Sequence, residues 1–391
     1  MILSFALIIL FGLFSGCVFS KIRMPPLFGM IITGIVIGPY VLNWIDASVL
    51  AISADIRKIA LIIILIRAGL SLNIKDMKKV GRPAILLCFV PACFEIMGMI
   101  MLAAKMLGIS RLDAAIAGTV AAAVSPAVIV PRMIKIIDEG YGTKKSIPQM
   151  ILAGASVDDV FVIVMFSVFT GFAQGEKISF NSFVNIPFSI ITGIAVGIVS
   201  GIILSIIFGK FKIRSTVQTI VFLSTCMLLT AAENCLPKYI PFASLIAVMT
   251  TGIILRKNKP DTAVEMTRTF NKMWIPAEIF LFVLVGASVD INYAVKAGFT
   301  VVALIIFVLV FRIAGVFLCL IKTELSLKEK LFCMLSYTPK ATVQAAIGGI
   351  PLAMGLECGN IVLTIAVTAI LITAPIGAFA IDLTYKKFLS K

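Results

Sequence analysis

The chain has 391 residues, is 60% hydrophobic and only 14% charged, and carries a net charge of +15. That balance excludes a soluble globular domain and fits a polytopic membrane protein. The basic residues fall in short clusters between apolar runs, so the positive charge is not a nucleic-acid surface.

Thirteen apolar spans are predicted, in order 1–19, 25–42, 56–72, 83–107, 112–130, 147–172, 186–208, 217–232, 240–255, 274–289, 294–321, 331–354 and 361–385. The first has no basic leader and no small-residue cleavage site, and reads as a retained span. Glycines 29, 34 and 38 in the second span form a close-packing face, expected at a dimer contact. Clusters such as Lys21 and Arg23, Lys75, Lys78, Lys79 and Arg82, or Arg132, Lys135, Lys144 and Lys145 all follow odd-numbered spans. The positive-inside rule then predicts an external N-terminus and a cytoplasmic C-terminus, with no soluble domain after the last span. Histidine is absent, so any response near neutral pH must come from carboxylates. The eight cysteines show no C-x-x-C spacing and read as small buried apolar groups.

Two spans are broken, the fifth at Ser125-Pro126 and the twelfth at Thr338-Pro339-Lys340. Proline removes a helix hydrogen bond and pushes the preceding residue toward extended backbone. At membrane depth such backbone is tolerated only inside protein or along a cavity. The pairs Pro126 and Pro339, Pro25 and Pro241, and Glu95 and Arg312 are 213, 216 and 217 residues apart. Nearly constant offsets, with an odd number of spans between partners, predict two six-span halves of opposite topology linked by the seventh span. Paired interruptions in inverted halves point to a transport site near the midplane. Ser125 and Thr338, beside the prolines, are natural oxygen ligands or caps for the unwound segments.

The sixth span holds Ser156-Val157-Asp158-Asp159. Each ionised Asp at the centre of a span costs about 2.5–3.5 kcal/mol on insertion scales, so intramembrane acids are read as functional. Successive helix positions point about 100° apart. One aspartate therefore faces a cation and the other a fixed positive charge. Arg312 needs an acid, with Glu95 and Asp158 as candidates; the equal depth of positions 95 and 312 favours Glu95 as its main partner. Lys340 is placed to offset the carbonyl ends of the broken helices. Arg67 is read as snorkelling to the nearby cytoplasmic membrane surface, and Glu278 as peripheral.

Ser156-Val157-Asp158-Asp159, Val124-Ser125-Pro126 and Pro339-Lys340-Ala341-Thr342-Val343-Gln344-Ala345-Ala346 resemble the monovalent cation–proton antiporter superfamily, in its double-aspartate sodium/proton branch, over nearly the whole chain. The resemblance implies an all-α polytopic membrane protein with about thirteen transmembrane helices and crossed discontinuous helices. It implies a core domain at 83–173 and 294–391, a panel (dimer) domain at 1–82 and 215–293, and a linker at 174–214. The core would move against the panel like an elevator. Asp159 matches the ion-binding and proton-carrying acid, and Asp158 the acid paired to a basic residue on the eleventh span. Many relatives have Lys at that place, where this chain offers Arg312. The pair Asp158-Asp159 favours Na⁺ or Li⁺ over K⁺, exchanged for H⁺. A homodimer in the cell (inner, plasma) membrane is expected, with lipid, monovalent cations and protons as partners, and with no cofactor, no nucleic acid and no enzyme activity. The alternatives weighed are a K⁺/H⁺ antiporter and a sodium-coupled symporter of an organic anion on the same fold. An intramembrane aspartyl protease is excluded, because its two acids must face each other from separate helices.

Overall fold

A computed structural model describes residues 1–22, 24–71, 81–175, 180–211, 213–235 and 242–391. The expectations for Arg23, Lys75, Lys78, Lys79 and Pro241 lie outside the described residues. The described residues are helical throughout: α1 (Ile2–Lys21), α2 (Pro26–Ile37), α3 (Ala47–Ala51), α4 (Ser53–Ser71), α5 (Arg82–Leu87), α6 (Val90–Met106), α7 (Arg111–Ala122), α8 (Pro126–Asp138), α9 (Ile147–Ala173), α10 (Phe180–Lys210), α11 (Ser215–Cys235), α12 (Ser244–Asn258), α13 (Pro260–Ala287), α14 (Ile291–Cys319), α15 (Leu327–Ser336), α16 (Thr342–Ile347), α17 (Ile350–Ala353) and α18 (Gly359–Phe388). Among the described residues nine segments are long and apolar enough to cross a membrane, with 111–138 counted as one. The count of thirteen is not reached on that criterion. The second span shrinks to 12 residues in α2, and the ninth to 15 in α12. The twelfth is split among α15, α16 and α17.

One break was not foreseen. The fourth span divides between α5 and α6 at Cys88–Phe89. Pro91 sits in the first turn of α6, and it has no N–H to offer the carbonyl four residues earlier, so the helix restarts.

The chain divides into two compact units. The first comprises the described residues within Met1–Arg57, Asp76–Gln174 and Ile279–Lys391. At its centre Leu87, Ile129, Met133, Ile151, Phe332, Tyr337 and Ile381 interdigitate between α5, α8, α9, α15 and α18. Lipid tails are as apolar as these side chains, so close packing and polar bonds hold such helices together. The second unit comprises the described residues within Lys58–Lys75 and Gly175–Glu278, where α10 packs along α12. In it Arg67 Nε donates to Asn271 Oδ1 at 2.8 Å, and the guanidinium lies 5.1 Å over the Trp274 ring.

The glycine face of α2 is spent within the chain, not on a dimer contact. A Cβ on Gly34 would strike the Val283 carbonyl and lie 2.9 Å from the Ala287 nitrogen of α13. Gly34→Val is therefore expected to cost about 1–3 kcal/mol through overpacking, measured as a lower melting midpoint of the purified protein.

Polar ends are capped by sequence. Ser326 Oγ accepts from Glu329 N at 3.3 Å, and Glu329 Oε2 accepts from Ser326 N at 2.6 Å, a reciprocal cap on α15. Glu329 Oε2 also accepts from Lys145 Nζ at 2.8 Å. Burial opposes the Glu329 charge, but the bonds from Lys145 and Ser326 outweigh it and hold the carboxyl below the usual carboxylate range. A carboxyl depressed in the folded state adds stability above its unfolded pKa and loses it as pH falls through its folded pKa. Glu329→Gln is thus expected to lose about 1–3 kcal/mol at neutral pH and progressively less in acid. Melting curves of both proteins from pH 7 to pH 3 check this.

Candidate ion-binding site

The two interrupted helices meet. Ser125 N, at the gap between α7 and α8, donates to Pro339 O at 2.8 Å, in the gap between α15 and α16. Gln344 Nε2 on α16 donates to Ala123 O at 2.7 Å and to Ala121 O at 3.3 Å. Lys340 N donates to Thr373 Oγ1 of α18 at 3.0 Å. Backbone groups freed by Pro126 and Pro339 are thus satisfied inside the protein, the condition for unwound chain at membrane depth. Gln344 and Thr373 were not singled out from sequence. A glutamine in an apolar stretch two residues past the start of α16 was the available signal.

Four charges lock this crossing. Arg312 on α14 and Lys340 carry two positive charges, and Glu95 on α6 and Asp158 on α9 carry two negative ones. All four side chains are at most 1% exposed. Arg312 Nη1 donates to Glu95 Oε2 at 2.8 Å, and Arg312 Nη2 donates to Asp158 Oδ2 at 3.0 Å. Lys340 Nζ lies 2.7 Å from Glu95 Oε1 and donates to Oε2 at 2.8 Å. Asp158 Oδ2 also accepts from Val124 N at 2.9 Å.

This geometry corrects two expectations. Arg312 is not held mainly by Glu95 with Asp158 left free; its fork spans both acids. A guanidinium offers five donors in a plane, so two partners are no harder to satisfy than one. Two further donors go to carbonyls: Nε to Tyr337 O and Nη1 to Ala122 O. Those carbonyls stand at the C-terminal ends of α15 and α7, where helix dipoles favour a cation. Arg312 therefore does what was expected of Lys340, and Lys340 spends its ammonium on Glu95. Tyr337, unnoticed in the sequence, also places its ring 5.7 Å from the guanidinium.

Asp159 stands outside this balance. It is 4% exposed, and among the described residues Oδ1 has no hydrogen-bond partner and no ion pair involves the side chain. Ser125 Oγ is likewise buried without a partner, so it does not cap α8. Thr338 Oγ1 gives its proton to Leu335 O at 2.9 Å and keeps its lone pairs. Thr342 Oγ1 and Gln344 Oε1 are further buried oxygens without a partner. A carboxylate in such surroundings is tolerated only with a proton or a cation on it.

Crossed half-helices, a closed set of four charges and one carboxylate left over define an ion-handling, polytopic membrane protein of the transporter class. The chain belongs to the sodium/hydrogen exchanger family, whose transmembrane model matches residues 6–387, and so to the monovalent cation–proton antiporter superfamily that its motifs resemble. It is an integral membrane protein. Among curated relatives, "Sodium/hydrogen exchanger 9B2" of Xenopus tropicalis is 34% identical over 87% of this chain and 64% of its own length. The protein of the same name from Mus musculus is 32% identical over 99% of this chain and 74% of its own. The chain thus spans about two thirds to three quarters of the length of these relatives. Among solved structures, the sodium proton antiporter MjNhaP1 of Methanocaldococcus jannaschii superposes with a TM-score of 0.87, at 21% identity, covering 99% of this chain and 98% of that one. That likeness establishes the fold.

Proposed function

We propose that this protein is a secondary antiporter that exchanges cytoplasmic Na⁺, or Li⁺, for external H⁺. The observation that carries this reading is Asp159, a buried carboxylate whose Oδ1 has no partner among the described residues, beside a crossing whose four charges cancel. A cation and a proton compete for Asp159, and that competition is the coupling. Ser125 and Thr338 offer oxygens to the cation. Asp158 holds the site through Arg312 and Val124, and Glu95 and Lys340 complete the charge balance. One carboxylate that trades one proton for one monovalent cation makes the exchange electroneutral.

Residues 83–173 and 294–391 form the moving core, carried across the bilayer by an elevator motion against the panel formed by 1–82 and 215–293, with 174–214 linking the halves. The protein is placed in the cell membrane as a homodimer, with its N-terminus outside and its C-terminus in the cytoplasm. The names of the relatives, all exchangers of sodium and hydrogen ions, support the choice of ions.

The test is dequenching of a pH-sensitive dye in everted vesicles carrying an imposed proton gradient. Addition of Na⁺ or Li⁺ is expected to collapse the gradient, and K⁺ to leave it. Collapse with K⁺ alone would replace this reading with K⁺/H⁺ exchange. No collapse with any of the three would remove antiport altogether.

A further inference from the structure

Away from the crossing, the first unit holds another buried charge. Arg57 on α4 is 3% exposed, and Nε donates to Ser53 O at 3.2 Å. Nη1 is buried and finds no acceptor among the described residues. The group lines a cavity of about 250 Å³ together with Tyr40, Ser53, Ser288, Gly349 and Leu352, and no lining residue is acidic. An uncompensated guanidinium in the protein interior is costly and would not be kept there without an anion.

The form of the cavity narrows that anion. A guanidinium presents two parallel N–H donors to a planar or tetrahedral oxyanion, and the hydroxyls of Tyr40 and Ser53 on the same wall add further donors, while Ser288 Oγ gives its proton to Leu284 O. The volume exceeds what a halide would fill. The loop after α2 carries Tyr40 and Trp44, 47% and 48% exposed. Amphipathic rings of this kind concentrate at the headgroup level of a bilayer. Tyr40, Ser288 and Leu352 lie at the C-terminal ends of even-numbered apolar spans, so the orientation proposed above sets the cavity at the outer surface. We propose that the Arg57 cavity binds a phosphate group, borne by a phospholipid headgroup at that surface or by free phosphate. The site is separate from the Asp159 region. Its binding test reads no transport, so failure of either proposal leaves the other standing.

Gly349 gates the approach. A Cβ built there would strike Arg57 Nη1, so Gly349→Ala displaces the donor that the phosphate needs. The experiment uses the full chain purified in mild detergent, with melting midpoints measured against three probes. These are phosphatidylglycerol, a neutral glycolipid with the same acyl chains, and sodium phosphate, with sodium chloride as the ionic control. Phosphatidylglycerol is expected to raise the midpoint by several degrees, as ligands of the folded state do, and the glycolipid and chloride are not. A rise with sodium phosphate as well identifies the free anion as sufficient; a rise with phosphatidylglycerol alone identifies the headgroup as the source. Arg57→Gln and Gly349→Ala are both expected to lose the rise. Arg57→Lys, which keeps charge but not the fork, is expected to weaken binding about tenfold. Without probe, Arg57→Gln is expected to melt no lower than the unaltered protein, because it removes an unpaired buried charge. An equal lipid-induced rise in Arg57→Gln, a rise with chloride or the glycolipid, or no rise with either phosphate probe would overturn the proposal.

Discussion

Asp159→Asn is expected to reduce cation-driven proton movement to the level of protein-free vesicles while the protein folds and purifies normally. Asparagine keeps the size of the side chain and removes the charge that can take either a proton or a cation. No fixed partner is lost, because among the described residues Asp159 has no ion pair to break. Removing a buried charge without a partner is neutral or stabilising, so the melting midpoint should hold or rise. Asp158→Asn should behave differently. It strips a charge from Arg312, 3.0 Å away, and converts an acceptor of two bonds into a weaker one. Its expected signature is a lower melting midpoint with weakened, not abolished, exchange. The paired measurement is vesicle dye dequenching beside thermal unfolding for each variant. Full Na⁺-driven exchange in a well-folded Asp159→Asn protein would remove Asp159 as the carrier.

Parts of this architecture are legible from residues alone because they break a local rule in plain view. Two prolines with unwound neighbours inside apolar runs must be satisfied by other protein groups, and the bond from Ser125 to Pro339 supplies that satisfaction. The spacing of Glu95 and Arg312 announced a meeting of equivalent positions, and the two touch. Direction was not legible. A sequence gives the depth of Arg312 but not the aim of five donors, so two partners and two carbonyl ends looked like competing options where they coexist. Lys340 was misjudged for the same reason: its depth suits a helix end, but its flexible stem carries the ammonium to Glu95. The break at Cys88–Phe89 is hidden in the sequence because apolar residues run on through both half-helices, and Pro91 alone marks the restart. The glycines of the second span mark a close approach without naming the neighbours, which are α1 of the same chain at Gly29 and α13 at Gly34 and Gly38.

The charge lock has an expected result of its own. Glu95→Gln should destabilise the protein by about 3–5 kcal/mol, the usual cost of breaking a buried ion pair from one side. The loss falls unevenly. Arg312 keeps Asp158, Tyr337 O and Ala122 O, so it remains compensated. Lys340 loses both carboxylate contacts at once, and among the described residues its charge is left without an ion-pair partner. Removing that second charge should therefore repair most of the damage. The double variant Glu95→Gln with Lys340→Met is expected to melt well above Glu95→Gln alone, although it has one polar group fewer. The same reasoning predicts no such rescue for Arg312. Arg312→Met with Glu95→Gln still leaves Asp158 ionised without its guanidinium and two helix-end carbonyls without a donor. A four-way comparison of melting midpoints decides the matter, since coupling between contacting charges exceeds the sum of independent effects. If Lys340→Met adds its own loss to that of Glu95→Gln instead of relieving it, Lys340 is not compensated by Glu95. The balance of four charges that leaves Asp159 as the one free carboxylate then fails with it.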